Sequence, residues 1–374
     1  MNILYLCTYY HRAMIFRDSM NYLEDRGNTV RAFNAVARGA KIDEKYKAIM
    51  DDKVFHRECF EPFDRYLYFR KQRKIFNSLI ETVNVNDFDI IHSHTMMNGG
   101  WAARKLWKKY GIPYIVTARN TDLNDFLRIR AFRPIARMII KDAAHIMFLS
   151  EPYREAVLNK CFGSNEESKA KIMKKSKVIR NGLESFWLEN KGRPKTIGGN
   201  ELKLICVGKI DTNKNMLTVL QVMDILERKG QSVSFTVIGQ VVDENVLQKL
   251  QLDNRVKLIE YQKKEGLINY YRDSDIYIMP SLFESFGRVY AEAMTQGLPV
   301  IYTKGQGFDG SFVEGEVGYS VNPHNPEEIA DAVMKIKENY SEISSNCIRN
   351  SDLFDWALIV EELDSMYHEA AGDK

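Results

Sequence analysis

The chain has few cysteines and no arrangement of them that could carry structure. Cys7, Cys59, Cys161, Cys206 and Cys347 are an odd number, widely scattered, with no Cys-x-x-Cys pair. That excludes a disulfide framework and a zinc knuckle, and the five read as reduced packing residues. Long hydrophobic runs are missing too, since none approaches the roughly 20 residues a membrane span needs. The opening Met1-Asn2-Ile3-Leu4-Tyr5-Leu6-Cys7 lacks the basic segment and long apolar core of a signal peptide, so the expectation is a cytoplasmic protein. No acidic tail or Gly/Ser-rich tract suggests long disorder. What is there, 45% hydrophobic and 28% charged residues, is the balance of a soluble globular protein. At 374 residues it exceeds what one core usually serves, so two domains are expected.

The net charge of +3 hides an asymmetry. Residues 1–190 carry 33 Lys and Arg against 22 Asp and Glu, whereas the remainder carries 20 against 28. A basic first half suits an anionic membrane surface or a phosphate-bearing acceptor, because charge balance speaks to association rather than fold.

Short runs rich in Ile, Val and Leu, each followed by a segment of helical periodicity, recur at Asn2 to Leu6, Ile90 to His92, Tyr114 to Thr117 and His145 to Leu149. The pattern resumes after a polar, Gly-containing linker over residues 189–200, with Leu202 to Val207, Ser234 to Ile238, Val256 to Glu260, Ile276 to Met279 and Pro299 to Thr303. This alternation predicts two doubly wound parallel sheets in an α/β fold, each binding ligands at the carboxyl ends of its strands, with the cleft between them as the default site. The expected domains are 1–190, rejoined by a closing helix over 355–374, and 200–354.

The most informative stretch runs from Asp275 to Val300. A buried strand ends at Pro280, a turn carries Glu284, and a helix starting near Gly287 carries Glu292 before stopping at Gly297. Ser285-Phe286-Gly287 offers backbone N–H groups at a helix N-terminus, where the macrodipole favours an anion such as a diphosphate. On spacing alone, Glu284 as a cap and Glu292 as a solvated helical residue are as good a reading.

Pro280-Ser281, Glu284 and Glu292 resemble the P-S-x-x-E-x-F-G-x-x-x-x-E pattern of family 4 retaining glycosyltransferases, with its E-x7-E carboxylates. Val207-Gly208-Lys209-Ile210 followed by Lys214 is similar to the V-G-R-L…K-G element, Ile179-Arg180-Asn181-Gly182 to the I-P-N-G segment, and Phe354-Asp355-Trp356 to the closing S-W. The resemblance implies a GT-B fold of two Rossmann-like domains and metal-independent, retaining transfer from a nucleotide sugar. It implies that Lys209 and Lys214 hold the donor diphosphate, Glu284 a donor-sugar hydroxyl and Glu292 the ribose. Gly208, Gly239 and the Ser285-Phe286-Gly287 backbone complete the donor set. Lys209 stands where the family has Arg, keeping the charge but not its bidentate geometry, and Asn215 replaces the usual Gly.

In the first half, Asp89-Ile90-Ile91-His92-Ser93-His94 leads into a loop with Asn98 and Gly99 at the same strand edge. His92 and His94 could share a strand face and so raise a metal pair, but no further ligand cluster has matching spacing; a core or supporting histidine is the alternative, and the resemblance implies that His92, His94, Asn98, Gly99, Asn120 and Asp122 help shape the acceptor side of the cleft. Val116-Thr117-Ala118-Arg119-Asn120-Thr121-Asp122 looks like the V-T-x-H-G-x-D segment, with Arg119-Asn120 where His-Gly is common. Arg119 then faces a reacting sugar, a phosphate or an anionic acceptor, and Asp122 orients it or caps a helix. Cys7-Thr8-Tyr9-Tyr10-His11 lacks the family's first-loop glycines.

Two D-x-D triplets, Asp87-Phe88-Asp89 and Asp273-Ser274-Asp275, precede their strands and so fall at the edges away from the site. No cofactor and no divalent metal are expected; the partners are the nucleotide sugar and a sugar or lipid-linked acceptor. Arg70, Lys71, Arg73 and Lys74, and Arg128, Arg130, Arg133 and Arg137, are interleaved with Tyr66, Tyr68, Phe69, Phe126 and Phe132. Such stretches either lie on an anionic membrane, at the inner face of the cell membrane, or turn their aromatics into the core. No nucleic-acid-binding module is recognisable. Rival readings are a nucleotide-sugar epimerase, a phosphorylase, or a non-catalytic nucleotide-sugar-binding protein.

Overall fold

The computed structural model describes residues 1–372, so the last two residues of the expected 355–374 helix lie outside the described residues. The chain divides into two units: Met1–Leu149 with Tyr153–Gly182 and the chain from Trp356 onward, and Leu183–Asp355 with Ser150–Pro152.

The first unit holds a seven-stranded sheet of β1 (Asn2–Leu6), β2 (Thr29–Ala37), β3 (Val54–Phe60), β4 (Ile90–Ser93), β5 (Tyr114–Thr117), β6 (His145–Phe148) and β7 (Ser176–Val178), in the order β3-β2-β1-β4-β5-β6-β7. The second holds β8 (Glu201–Val207), β9 (Ser232–Ile238), β10 (Val256–Ile259), β11 (Ile276–Ile278), β12 (Val300–Thr303) and β13 (Gly318–Val321), in the order β10-β9-β8-β11-β12-β13. Pairing is parallel throughout both. Parallel strands covered on both faces read as unbroken apolar runs, which is why Ile3, Leu4 and Tyr5 are all fully buried. The α/β class and the paired parallel sheets are as the alternation predicts.

In each sheet the strand order reverses at one place, between β1 and β4 and between β8 and β11. At such a switch point the flanking loops diverge and leave a crevice at the carboxyl edge, where ligands bind. The opposite edge is closed by the two D-x-D triplets in the same way. Asp89 accepts from the Asn2 N–H (2.8 Å) and donates its own N–H to the Asn2 carbonyl (2.9 Å). Asp275 repeats this with Lys203 at 2.8 Å for both bonds. These carboxylates stitch strands together at the amino ends.

The closing helix, Trp356–Ala371, packs within the first unit. A Cβ on Gly182 would come within 2.5 Å of the Trp356 ring, so the glycine of Arg180-Asn181-Gly182 is the price of laying an indole flat on the backbone.

Candidate active site

In the second unit the switch-point loops follow β8 and β11. The ladder runs on into two glycines: Gly208 N–H donates to Ile238 O (2.9 Å) and Gly239 N–H to Ile259 O (3.1 Å). A methyl on Gly239 would stand 1.7 Å from Gly208 O, so no side chain fits there. Lys209 is exposed. Asp211 caps the next turn by accepting from Lys214 N–H (3.0 Å).

Asn215, with φ 56°, is the one non-glycine residue in the left-handed region among the described residues. That explains the exchange with the family's glycine, since Asn tolerates this conformation better than other side chains. Its amide also donates to Pro280 O (3.1 Å) and Pro323 O (2.8 Å). Asn215→Ala should therefore cost about 2–3 kcal/mol in urea unfolding, from strain plus lost hydrogen bonds, and Asn215→Gly only about 1 kcal/mol. Equal losses in the two variants would refute the backbone explanation.

Lys214 Nζ donates to Glu284 Oε2 at 2.7 Å, with the two side chains 17% and 15% exposed. The Glu284 backbone is clamped as well: its N–H donates to Gln306 Oε1 (3.0 Å) and its carbonyl accepts from Gly307 N–H (2.7 Å). Asn213 ties the two loops together, donating to Phe283 O (3.0 Å) and accepting from Phe283 N–H (3.1 Å). The expectation of three free amides ahead of the helix needs correction. Ser285 N–H already donates to Glu284 Oε1 (3.1 Å), because that carboxylate reaches back over its own neighbour. Phe286 is buried against Phe308 and Phe354, so its side chain serves the core. Gly287, at φ 76°, turns the chain into the helix Arg288–Thr295; a Cβ there would meet the Tyr290 ring at 2.4 Å.

Glu292 sits half-buried on that helix. Burial pushes its carboxyl up to about 7; Arg288 opposes this, Glu184 adds to it, and the Tyr271 hydroxyl pulls it down. With a folded value above the ordinary 4.5, its ionisation costs stability progressively as pH rises from about 4.5 to 7.

In the first unit, the β4 and β5 loops meet at Asp122. Its carboxylate is fully buried and accepts from the N–H groups of Met96 (3.0 Å), Met97 (2.8 Å) and Arg119 (2.8 Å). It holds the Arg119 backbone rather than its guanidinium. Arg119 Nε donates to His94 O (2.8 Å), and the guanidinium lies over the Phe16 ring at 5.1 Å. His92 is a core residue, its Nδ1 paired with Tyr367 Oη (2.6 Å) and Nε2 with Thr117 Oγ1 (2.7 Å). Burial takes its imidazole down to about 3, so it stays neutral. His94 shares its strand face, ring centroids 4.1 Å apart, without those partners.

Asn98 is buried and accepts from Lys71 Nζ (3.0 Å). Gly99 leaves room for Ser93 Oγ, which a Cβ would approach to 2.3 Å. Asn120 accepts from the Tyr153 hydroxyl (3.1 Å). Among the described residues no group of three or more His, Cys, Asp or Glu is placed to hold a metal ion.

Sequence reasoning missed Asn213, Gln306 and Gly307, which position Glu284. Thr212-Asn213-Lys214-Asn215 carries turn chemistry after a strand that could have flagged the first; nothing local flags the other two.

Two family matches tile the chain: glycosyltransferase family 4 over residues 15–182 and glycosyl transferases group 1 over residues 189–353. The D-inositol 3-phosphate glycosyltransferase of Corynebacterium diphtheriae is 26% identical over 311 residues, 76% of this chain and 71% of that protein. The capsular polysaccharide biosynthesis glycosyltransferase CapM of Staphylococcus aureus is 26% identical over 228 residues, 57% of this chain and 60% of that one. Among solved structures, Anabaena HepE in complex with UDP-glucose superposes with a TM-score of 0.68 at 17% identity, over 98% of each chain, a likeness of fold. With two parallel α/β sheets of GT-B type and both halves matched in order, the chain belongs to the family 4 (group 1) glycosyltransferases and is a glycosyltransferase of that retaining family.

Proposed function

We propose that the enzyme moves a hexose from a nucleoside diphosphate sugar to a hydroxyl of a lipid-linked or polysaccharide precursor in cell-surface glycan synthesis, without a divalent metal. The observation that carries the reading is the Lys214–Glu284 pair at the second switch point, with Glu292 one helix further on. Lys214 and exposed Lys209 take the diphosphate, Glu284 a sugar hydroxyl and Glu292 the ribose. The first unit takes the acceptor, with Arg119 nearest the chemistry. The acceptor oxygen bonds to the anomeric carbon on the face the diphosphate leaves. As the bond to the leaving oxygen breaks, the acceptor proton passes to a phosphate oxygen. The lysines stabilise the charge that grows on the diphosphate.

The names of two relatives, one acting on an inositol phosphate and one in capsular polysaccharide biosynthesis, support this acceptor class. So does the surface of the first unit. Phe63, Tyr66, Leu67 and Phe69 are 64%, 66%, 40% and 58% exposed, and Arg65, Arg70 and Arg73 stand exposed among them. Exposed Arg128 and Arg130 join through Tyr68, whose ring meets Phe126 and Phe132 at 5.9 and 5.3 Å. The aromatics are thus divided: Tyr68 turns inward while Tyr66 and Phe69 face out. No helix among the described residues is long and apolar enough to cross a membrane. Aromatic side chains ringed by arginines suit the surface of an anionic bilayer. The protein should sediment with vesicles containing 30% anionic lipid and not with neutral ones, and replacing Phe63, Tyr66 and Phe69 together by Ser should weaken this at least tenfold, at roughly 1 kcal/mol per ring. Equal sedimentation of the triple variant would show that this surface does not bind the membrane.

A binding screen against UDP, GDP, ADP and CDP sugars with EDTA present tests the donor assignment. One nucleotide class should bind, and Glu292→Ala should lose it. Because the ionised Glu292 carboxylate is the stronger acceptor for ribose hydroxyls and its carboxyl sits near 7, affinity should fall severalfold from pH 8 to pH 6, and Glu292→Gln should flatten the profile. Binding that survives Glu292→Ala overturns the assignment.

A further inference from the structure

Under the carboxyl edge of the first sheet lies a cavity of roughly 20 Å³, walled by His94 after β4, Arg119 after β5, Arg180 and Asn181 after β7, and Trp356 at the start of the closing helix. His94 and Trp356 are each 4% exposed, yet neither ring nitrogen of His94 nor the indole N–H of Trp356 has a hydrogen-bond partner among the described residues. Buried polar groups are normally paired, as both nitrogens of His92 are two residues earlier. A neutral imidazole offers one donor and one acceptor, and an indole one donor, so the wall presents hydrogen-bonding capacity that the protein does not use. The surroundings set the sign of the occupant. Two guanidiniums line the cavity and none of its lining residues is acidic. Ile15, Phe16 and Ser19 from the helix Ile15–Asp25 and Met147, Ile359 and Leu363 complete the lining with His92.

We infer that this cavity is an oxyanion pocket that receives one oxygen of a phosphate or carboxylate carried by the acceptor. The enclosed space is that of about one water molecule, so a single oxygen enters and the rest of the group stays at the mouth. Trp356 Nε1 and a nitrogen of His94 donate to the buried oxygen, and Arg119, which is only partly buried, meets the remaining charge. Arg119 stands where the family pattern commonly has His, and its fixed charge makes the pocket selective for an anionic acceptor. The inference deepens the reading that the first unit takes the acceptor and rests on it.

The test titrates the full-length protein with inorganic phosphate, glucose 6-phosphate, glucuronate and glucose. Calorimetry and the imidazole ¹⁵N resonances follow binding, with His94 assigned by the signals lost in His94→Gln. Phosphate, glucose 6-phosphate and glucuronate should bind and shift the His94 signals, and glucose should not. Arg119→Gln should weaken binding at least tenfold, as expected for a charged hydrogen-bonding partner. Trp356→Phe, which keeps a ring against Gly182, should weaken it severalfold. UDP affinity should be unchanged in both variants. Absence of any His94 shift, or equal affinity in Arg119→Gln, overturns the pocket. A parallel loss of UDP affinity would assign the oxyanion to the donor and overturn the acceptor assignment. Loss of UDP binding in Glu292→Ala reports on the donor site alone, so the two readings fail separately.

Discussion

Lys214→Ala should lower turnover by about 10²–10³ while leaving the fold and most of the donor affinity in place, because removing one preorganised donor from a site of developing charge has an effect of that size. The side chain is 17% exposed, and its Nζ has Glu284 as its fixed neighbour at 2.7 Å. In the function proposed above, a diphosphate arriving at the β8 and β11 loops would compete with Glu284 for the ammonium and free the carboxylate for a sugar hydroxyl. The alanine variant strands Glu284 without its cation. Single-turnover kinetics distinguish the loss from slow product release. Turnover within threefold of the wild type would mean that the lysine only anchors a loop.

Asp122→Ala should be the most destabilising of the conservative-sized changes in the first unit, costing about 3 kcal/mol in urea unfolding, since three buried backbone N–H groups lose their acceptor at once. The balance at this carboxylate is two-sided. Burial raises it to about 6, against the pull of the three backbone bonds and Arg119. The folded value thus lies above the ordinary 3.8, so stability drains from the wild type as pH climbs from about 4 to 6. Asp122→Asn removes the charge and keeps a carbonyl acceptor, so it should lose less than the alanine variant and show no such decline. Matching pH profiles for wild type and Asp122→Asn would mean that folding leaves the Asp122 carboxyl at its ordinary value.

The contrast between the two loops explains what could be read in advance. Glu284 and Glu292 are eight residues apart on one turn and helix, so local spacing announces them. The strands β1, β4 and β12 were legible for the same reason, each a short apolar run buried on both faces. β3 and β7 were not. Val54–Phe60 and Ser176–Val178 are edge strands with half-exposed, polar-rich faces, so neither periodicity nor run length marks them. β13 (Gly318–Val321), an edge strand of the second sheet, was missed likewise. β2 is interior, but Arg31 and Asn34 interrupt it; Asn34 is buried because its amide pairs with His11 and His56.

Within the site, the role of Asp122 was half visible. Its position after Arg119 suggested a partner for that side chain, but the bonds to Met96 and Met97 cross 26 and 25 residues, a distance over which no local pattern runs. Gln306 and Gly307 support Glu284 from 22 and 23 residues downstream, and Trp356 reaches the His94 cavity from the far end of the chain. Tertiary contacts of this kind follow from how the strands are ordered, and strand order is not written in any one segment.

Retaining transfer from a nucleotide sugar without metal is the reaction proposed for this protein. The direct test is ¹H NMR of the slow hydrolysis of the bound donor with EDTA present, read before the released sugar mutarotates. Released sugar first appearing with the donor's own anomeric configuration, at a rate insensitive to EDTA and cut by Lys214→Ala, is the predicted result. First appearance of the inverted anomer, or complete loss of hydrolysis in EDTA, would contradict it.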